Sequence, residues 1–291
     1  MIIIIPVNGL LNRIRSILSA KLIANALGEK LSVLWIPEPC CNCHYEHIFG
    51  NNHILWEAVC SNEISTFTKR YGLNSMHIPL YFVEKDNVCT LRGYNKGEQY
   101  FMEQFMTSKC ELKIIKAGGE FYIPTISKDT YNKQKMELYS RIVFANAITE
   151  KVSAVPPKTL GLHLRFTDRK KYAPSPNQIY DAVQKLVNKN SIKNIKIVSD
   201  DLQERENTMK ALQKNHPDIN VSVSNIMITS RTSYLALQYA MVDWLTLCHC
   251  DSLIFFTGSS FGYEAFVWNL NRDVEEIPNR NLLMRSNLRI N

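Results

Sequence analysis

The stretch Gly161-Leu-His-Leu-Arg-Phe-Thr-Asp168 begins as an apolar run and ends in polar residues, which predicts a buried strand that leads into a loop. Arg165 would stand where this strand ends. A guanidinium is costly to bury unless an anion meets it, and its planar fork suits a phosphate. Because ligands of open α/β sheets bind at the carboxyl ends of the strands, the stretch predicts a site for a phosphorylated ligand such as a nucleotide.

From this stretch to residue 268 the sequence alternates between strand and helix patterns, which is typical of a doubly wound parallel sheet. The predicted strands cover residues 159–166, 195–199, 219–223 and 252–257, and the predicted helices cover residues 177–188, 202–215, 234–249 and 261–268.

The amino-terminal half opens with a similar pattern. An apolar strand (1–6) precedes a helix (12–27) that Gly28 ends, and a second strand (31–36) follows. Neither the Gly-x-Gly-x-x-Gly of a dinucleotide fold nor the Gly-Lys-Ser/Thr of a P-loop is present, so those chemistries are not supported. Residues 40–120 show no sustained period, although the pattern allows short strands at 75–83 and 88–92, and residues 128–148 are predicted to form one helix.

A proline-containing segment (152–158) separates the two halves. The sequence therefore predicts an α/β fold of two Rossmann-like doubly wound domains, 1–152 and 158–291. We expect the domains to face each other across a cleft, where a nucleotide and a second substrate would bind.

Two further predicted strands end in polar residues. Asp200 and Asp201 follow one of them and could accept hydrogen bonds from a base or a ribose. Ser259 and Ser260 follow the last strand and could cap the next helix, whose free N–H groups would face an anion. Each pair also has a purely structural interpretation, because serine and aspartate commonly begin helices.

Three other residues allow the same two interpretations. His163 could be a hydrogen-bonded core residue, and Arg165 could pair with a buried carboxylate such as Asp243. The functional interpretation is favoured because the polar residues follow several strands of one predicted sheet, so that a single ligand could contact them.

Composition excludes several classes of protein. Hydrophobic residues make up 45% of the 291 and charged residues 21%, which fits a globular chain and neither a disordered nor a fibrous one. The apolar runs are too short to span a bilayer and no signal peptide is recognisable, so we expect a soluble, cytoplasmic protein without a transmembrane segment. The net charge of +7 suits an anionic substrate, but no basic stripe interleaved with aromatic residues predicts nucleic-acid binding.

The eight cysteines predict reduced thiols and no metal site. Cysteine and histidine cluster at residues 40–47 and again at 248–250, but the spacings do not match a zinc ribbon or finger. Reduced thiols are the expectation for a protein that is not secreted.

The ordered set of motifs resembles a known family. The order His-x-Arg-x-Thr-Asp, then Ser-Asp-Asp, then Asp-x(7)-Asp-x(5)-Thr-x-Ser-Ser is similar to the donor domain of the fucosyltransferase superfamily. That superfamily includes the α1,6-fucosyltransferases, the bacterial nodulation fucosyltransferases and the protein O-fucosyltransferases. The resemblance covers residues 161–264, and Asn8-Gly9-Leu-Leu-Asn12-Arg13 is similar to the glycine-containing first loop of the same superfamily.

The resemblance implies a GT-B glycosyltransferase of microbial or viral type that inverts the anomeric carbon and needs no metal or other cofactor. Its first domain would lie on the acceptor side and its second would bind the sugar nucleotide. The donor would be GDP-fucose and the acceptor a hydroxyl of an oligosaccharide or glycan. Charge builds on the departing diphosphate during glycosyl transfer, and an arginine with a helix N-terminus can stabilise that charge in place of a metal ion.

The resemblance also implies which residues hold the diphosphate. Arg165 would bind it as a catalytic residue. Ser259, Ser260 and the backbone near Phe261 would cradle the same phosphates. Asp168 is the second residue that we expect to be catalytic.

Other residues are implied to contact the nucleoside. Asp243 would contact guanine, His163 would orient the nucleotide, and the pair Asp200 and Asp201 would border the nucleoside. The first-loop residues Gly9 and Asn12 would also bind the donor.

The chain departs from the α1,6-type pattern after Asp168. Arg169-Lys170-Lys171-Tyr172-Ala173-Pro174 stand where those enzymes have a glutamate that deprotonates the acceptor. The candidates for the general base are therefore Asp168 and a carboxylate of the first domain, such as Glu38 or Glu46. Two alternatives stay open: another donor such as UDP- or GDP-xylose, and an inactive transferase fold that binds sugar nucleotides or glycans.

Overall fold

The computed structural model describes residues 1–50, 54–59, 63–70, 81–92, 99–167, 173–224, 230 and 232–278. The chain divides into two compact units. Unit 1 comprises Met1–Ala147 and Ser230–Gln238, and unit 2 comprises Ile148–Thr229 and Tyr239–Asn291. None of the helices in these described ranges combines the length and the apolar character that a membrane span requires.

Unit 1 is built on a six-stranded sheet in the order β3-β2-β1-β6-β5-β4. All neighbouring strands run parallel except β4 and β5, which form a hairpin through Asp86 and Asn87, both at positive φ. Its strands are β1 (Ile2–Pro6), β2 (Leu31–Leu34), β3 (Glu57–Val59), β4 (Tyr81–Lys85), β5 (Val88–Arg92) and β6 (Leu112–Ala117). Its helices are α1 (Leu10–Leu27), α2 (Ile64–Arg70), α3 (Gln99–Thr107) and α4 (Lys128–Tyr139). The short helix α5 (Asn146–Thr149) contains the point in the sequence where unit 1 ends and unit 2 begins.

The central strand and the first helix form for reasons that the sequence already gives. All five residues of β1 are buried, as expected for a strand that helices cover on both faces. Gly28 ends α1 in the left-handed conformation, with φ of 64°, and its backbone N–H donates to the last turn of the helix.

Unit 2 is built on a five-stranded, fully parallel sheet in the order β11-β10-β7-β8-β9. The strand and helix alternation that the sequence predicts for this half is confirmed. In chain order the elements are β7 (Thr159–Leu164), α6 (Pro176–Asn190), β8 (Asn194–Ser199), α7 (Leu202–Asn215), β9 (Asn220–Val223), α8 (Tyr234–Cys248), β10 (Ser252–Phe256), α9 (Ser260–Trp268) and β11 (Asp273–Ile277).

Each sheet has one point at which the strand order reverses. In unit 2 the chain runs from β7 outward to β9 and then crosses to β10 on the other side of β7. In unit 1 the corresponding point lies between β1 and β6. Because the loops on the two sides of such a point lead away in opposite directions, a crevice forms there at the carboxyl ends of the strands, and ligands of doubly wound folds bind in it.

The structure corrects one predicted element and adds others. The single helix expected at 128–148 is broken, because residues after Tyr139 leave the helix and Phe144 forms a bridge with Phe49. The sequence pattern did not predict the strands β3, β6 and β11 or the bounds of the helices α2 and α3. The strand expected at 75–83 is described only from Tyr81, where β4 begins, and its earlier residues lie outside the described chain.

Candidate functional site

The order reversal of unit 2 brings together the loops after β7 and β10, which carry most of the predicted diphosphate contacts. Arg165 follows the last residue of β7 and is half-buried. Ser259 follows β10 in the adjacent loop and is 3% exposed. The two residue types that suit an anion therefore stand at the point where the fold itself favours a ligand.

Asp200 fixes the loop that carries Arg165. It follows β8, the neighbour of β7, and its Oδ1 accepts the backbone N–H of Phe166 at 2.8 Å. Its carboxylate also accepts hydrogen bonds from the backbone and the hydroxyl of Thr167, the latter at 2.5 Å. The predicted nucleoside contact thus has a structural task that sequence reasoning did not identify.

The second aspartate of the pair is a helix cap. Asp201 is the N-cap of α7, and its carboxylate accepts the backbone N–H of Glu204 at 3.0 Å. The structural interpretation left open for the pair therefore holds for Asp201.

His163 and Phe261 join β7 to the start of α9. The imidazole of His163 stacks on the ring of Phe261, with ring centroids 4.9 Å apart, and its Nδ1 lies 3.4 Å from Oγ of Ser259. Burial, assisted by the positive charge of Arg165, lowers the pKa of His163 to about 3. The imidazole is therefore neutral at neutral pH, which suits a positioning group and not a proton acceptor.

The N-terminus of α9 is held close to β10 by a glycine. Ser259 is the N-cap, and its hydroxyl accepts the backbone N–H of Gly262 at 3.4 Å. A Cβ at Gly262 would stand 2.3 Å from the Cβ of Phe255, so that only glycine permits this approach. The backbone N–H groups of Ser260 and Phe261, both half-buried residues, have no acceptor within the helix and can serve an anion.

Asp243 lies on α8 at a cavity of about 560 Å³ in the same unit. It is 7% exposed, and burial raises its pKa to about 7, against the opposing effects of a hydrogen bond from Ser224 and the charges of Arg205 and Lys196. The lining of this cavity includes the first residues of β7, β8 and β9 (Thr159, Asn194 and Asn220), which lie at the edge of the sheet opposite to Arg165 and Ser259. The link of Asp243 to the other edge is its hydrogen bond with Ser224, which follows β9.

The predicted first-loop residues lie at the order reversal of unit 1. Asn8 has φ of 70°, and its side-chain amide donates to the carbonyl of Gly118, which follows β6. Gly9 is the N-cap of α1, and a Cβ placed there would meet nothing within 4 Å. Oδ1 of Asn12 is buried and has no hydrogen-bond partner in the described chain. The loop therefore offers open space beside the first N–H groups of an 18-residue helix.

Arg13 holds this loop and is a residue whose role the sequence analysis did not identify. Its fully buried guanidinium donates to the carbonyl of Asn8 at 2.8 Å, to that of Ile36 at 2.7 Å and to the carboxylate of Glu38 at 2.9 Å. It therefore ties the end of β1 to the segment after β2.

The candidates for the general base differ in exposure and in ion pairing. Asp168 lies outside the described residues. Glu38 forms the ion pair with Arg13 while about a third of its side chain stays exposed, and Glu46 is exposed in a short 3₁₀ helix (Tyr45–His47). A third carboxylate, Glu120, follows β6 and was not singled out from the sequence.

Glu120 belongs to a buried ion pair with Lys135, whose side chain is fully buried. Burial by itself would raise the pKa of Glu120, but the charge and hydrogen bond of Lys135 and the hydroxyl of Tyr122 outweigh it, and the pKa is lowered. A carboxylate that is held ionised in this way is a weak base, so we assign Glu120 to the support of the loop after β6.

Among the described residues, no group of three or more His, Cys, Asp or Glu side chains could hold a metal ion. Cys41 and Cys43 are buried with their sulfur atoms 3.8 Å apart, and no described cysteine forms a disulfide.

Comparisons with known proteins identify the fold. No protein-family model and no curated protein sequence matches the chain. The α-1,6-fucosyltransferase NodZ, soaked with GDP-fucose, matches with a TM-score of 0.62 and 14% identity over 92% of each chain. A mutant of FUT1 of Arabidopsis thaliana in complex with GDP matches with a TM-score of 0.64 and 15% identity over 94% of this chain and 69% of that one.

A third similar structure is POFUT1 in complex with GDP, with a TM-score of 0.55 and 13% identity over 95% of this chain and 98% of that one. All three similarities extend over both units and not only over the motif-bearing half. The fold predicted from the motif order is confirmed: the chain has the GT-B fold of these fucosyltransferases.

Proposed function

We propose that this protein is a glycosyltransferase of the fucosyltransferase superfamily that transfers fucose from GDP-fucose to a hydroxyl of a glycan. The transfer inverts the anomeric carbon and needs no metal ion. The observation that carries the proposal is that Arg165 and the N-terminus of α9 follow two adjacent strands, β7 and β10, at the order reversal of unit 2. The structures of NodZ, FUT1 and POFUT1, which share the fold, were solved with GDP or GDP-fucose.

The diphosphate is bound by a cation and by backbone dipoles. The guanidinium of Arg165 binds its oxygens in a bidentate manner, while Ser259, Ser260 and the N–H of Phe261 bind it from the helix side. As the glycosidic bond breaks, negative charge builds on the leaving GDP, and these fixed donors stabilise it without reorganisation.

The nucleoside is bound by the residues around these donors. The carboxyl of Asp243 accepts the N–H groups of guanine, and the neutral imidazole of His163 orients the nucleotide. Asp200 holds the Arg165 loop in place beside the nucleoside, and Asp201 borders it from the start of α7. Unit 1 is assigned to the acceptor side, and its first-loop residues Gly9 and Asn12 are proposed as further donor contacts.

The acceptor hydroxyl is deprotonated by Asp168, which directly follows Thr167 in the sequence, or by a carboxylate of unit 1 such as Glu38 or Glu46. Asp168→Asn, Glu38→Gln and Glu46→Gln separate these assignments. Loss of the base lowers the rate of transfer about a hundred-fold or more while GDP binding is kept. If all three variants transfer at the wild-type rate, none of these carboxylates is the base.

The test of the proposal begins with ligand binding. GDP, UDP and CMP and their sugars are compared by thermal shift, since a ligand at 100 times its Kd stabilises the folded protein by about 2.7 kcal/mol. We expect GDP and GDP-fucose to raise the melting temperature. A shift of the melting temperature with UDP alone would show that the donor is a UDP-sugar and not GDP-fucose. If none of these nucleotides shifts the melting temperature, the assignment is overturned.

Catalysis is then measured with GDP-fucose and a panel of glycans, with and without EDTA. We expect transfer in both conditions, and NMR of the product should show an anomeric configuration opposite to that of the donor. Donor binding without hydrolysis or transfer would favour the alternative of an inactive transferase fold, and an activity that EDTA abolishes would contradict the metal-free mechanism.

We also place this activity in the cytoplasm. Such a location predicts that the buried, neighbouring thiols of Cys41 and Cys43 stay reduced. Protein isolated from its cells under thiol-trapping conditions should carry both thiols reduced, and an oxidised pair would contradict this location.

A further inference from the structure

A second cavity of unit 2 lies between α6 and α7 and is not part of the donor site described above. Its volume of about 940 Å³ is near the upper end of the range of small-molecule sites, roughly 300–1,000 Å³. One wall is a single face of α7, because its residues recur at spacings of three and four. These residues are Glu204, Asn207, Thr208, Ala211, Leu212 and Asn215.

The first two turns of α6 form the opposite wall and carry an aromatic ring in a fixed position. Tyr180 lines the cavity, and its ring stacks on that of His216, with centroids 5.7 Å apart. Its hydroxyl donates to Oε1 of Gln184 at 3.2 Å. Since both the ring and the hydroxyl are held, the ring offers an ordered surface at little cost in conformational entropy.

The chemistry of the lining suits a neutral polyhydroxyl ligand. Side-chain amides and a hydroxyl (Asn177, Asn207, Thr208) stand beside an apolar floor of Phe166 and Leu212. The described lining contains no lysine, arginine or histidine, and Glu204 is its only carboxylate. Among the described lining residues there is thus no cation for a phosphorylated ligand, whereas a sugar ring could place its C–H face on the apolar surface and its hydroxyls on the amides.

The cavity begins next to the proposed chemistry. Phe166, which lines it, directly follows Arg165, and its backbone N–H is fixed by Asp200 at 2.8 Å. We propose that this cavity binds the non-reacting sugar units of a neutral oligosaccharide acceptor. The role of this ligand as the acceptor rests on the proposed function. Its chemical class, a neutral oligosaccharide, rests on the lining of the cavity alone.

The main test fills the cavity. Ala211→Trp adds bulk at an exposed position of the α7 face, and Lys210→Trp adds the same side chain at the neighbouring exposed residue, which is not part of the lining. Binding of cellohexaose, maltohexaose and N-acetylchitohexaose is measured by calorimetry and saturation-transfer NMR without any nucleotide. We expect at least one of them to bind the wild type and Lys210→Trp, and to bind Ala211→Trp at least about tenfold more weakly.

A second pair of variants shortens side chains to alanine, so that this test does not depend on filling the cavity. Asn207 and Asn269 each accept one hydrogen bond through the side-chain oxygen, but only Asn207 lines the cavity. Asn207→Ala should weaken oligosaccharide binding about three- to tenfold, the effect of one lost hydrogen bond, and Asn269→Ala should leave it unchanged.

The outcomes separate this inference from the proposed function. If none of the three oligosaccharides binds the wild type, or if Ala211→Trp binds as tightly as Lys210→Trp, the inference is overturned even when GDP shifts the melting temperature. If oligosaccharide binding depends on Ala211 and Asn207 while no nucleotide binds, the cavity is a saccharide site and the transferase proposal fails.

Discussion

Asp243→Asn should change how the stability of this protein depends on pH. Burial raises the pKa of Asp243 from its ordinary value of 3.8 to about 7. The folded protein then holds a proton that the unfolded chain releases. This contribution to stability is fully present below pH 3.8 and is lost as the pH rises through 7. At 1.36 kcal/mol per unit, the total loss is about 4 kcal/mol, of which about 3 kcal/mol falls between pH 5 and pH 8.

Asparagine is neutral throughout this range, so the variant should escape that loss. We expect urea denaturation at pH 5, 6, 7 and 8 to show that the free energy of unfolding falls by about 3 kcal/mol more in the wild type than in Asp243→Asn. His163 and all other titrating groups are common to both proteins and cancel in the comparison. Two curves that stay parallel from pH 5 to pH 8 would show that Asp243 does not titrate in this range.

GDP extends the same test to the ligand. An ionised carboxyl accepts the N–H groups of guanine, so GDP should bind the wild type more tightly at pH 8 than at pH 6. Asp243→Asn controls for the titration of the phosphate itself and should show a weaker pH dependence. Equal pH dependence of GDP affinity in the two proteins would remove Asp243 from the guanine site.

Three further substitutions test separate parts of the structure. Arg165→Ala should lower kcat about a hundred- to a thousand-fold, and Arg165→Lys should recover only part of it because the fork is lost; near-normal turnover of the alanine variant would contradict the mechanism. Gly262→Ala places a Cβ against Phe255 and should destabilise the protein by about 1–3 kcal/mol in thermal denaturation, and an unchanged melting temperature would show that α9 can shift. Lys135→Met leaves Glu120 buried without its partner and should cost about 3–5 kcal/mol in urea denaturation, whereas the double variant with Glu120→Gln should lose less; equal losses would argue against an unpaired buried charge.

Much of unit 2 could be predicted from the sequence because its signals are local. The apolar run that starts at Thr159 marks a buried strand, and Leu202–Asn215 was predicted with the bounds that the structure has. In unit 1 the signals are weaker, since β3 has only three residues and the bend after Tyr139 depends on Phe144 meeting Phe49, far away in the sequence. No local pattern contains that contact.

The candidate site was predictable in its residue types and not in its contacts. The sequence placed Arg165 and Ser259 after two strands, and the strand order of the sheet makes those strands neighbours. It could not distinguish Asp200, which fixes the Arg165 loop, from Asp201, which caps α7, because the two carboxylates are adjacent and chemically identical. The pKa of Asp243 depends on burial, which only tertiary packing determines.

The division of α8 between the units limits how this protein can be dissected. Ser230–Gln238 belongs to unit 1, where the ring of Tyr234 stacks on that of His47 and Gln238 donates to the carbonyl of His47. A fragment that stops at the proline segment would lack this piece and expose the aromatic surface that it covers. Independent expression of the amino-terminal half therefore requires the missing nine residues to be restored, for example by grafting them through a flexible linker.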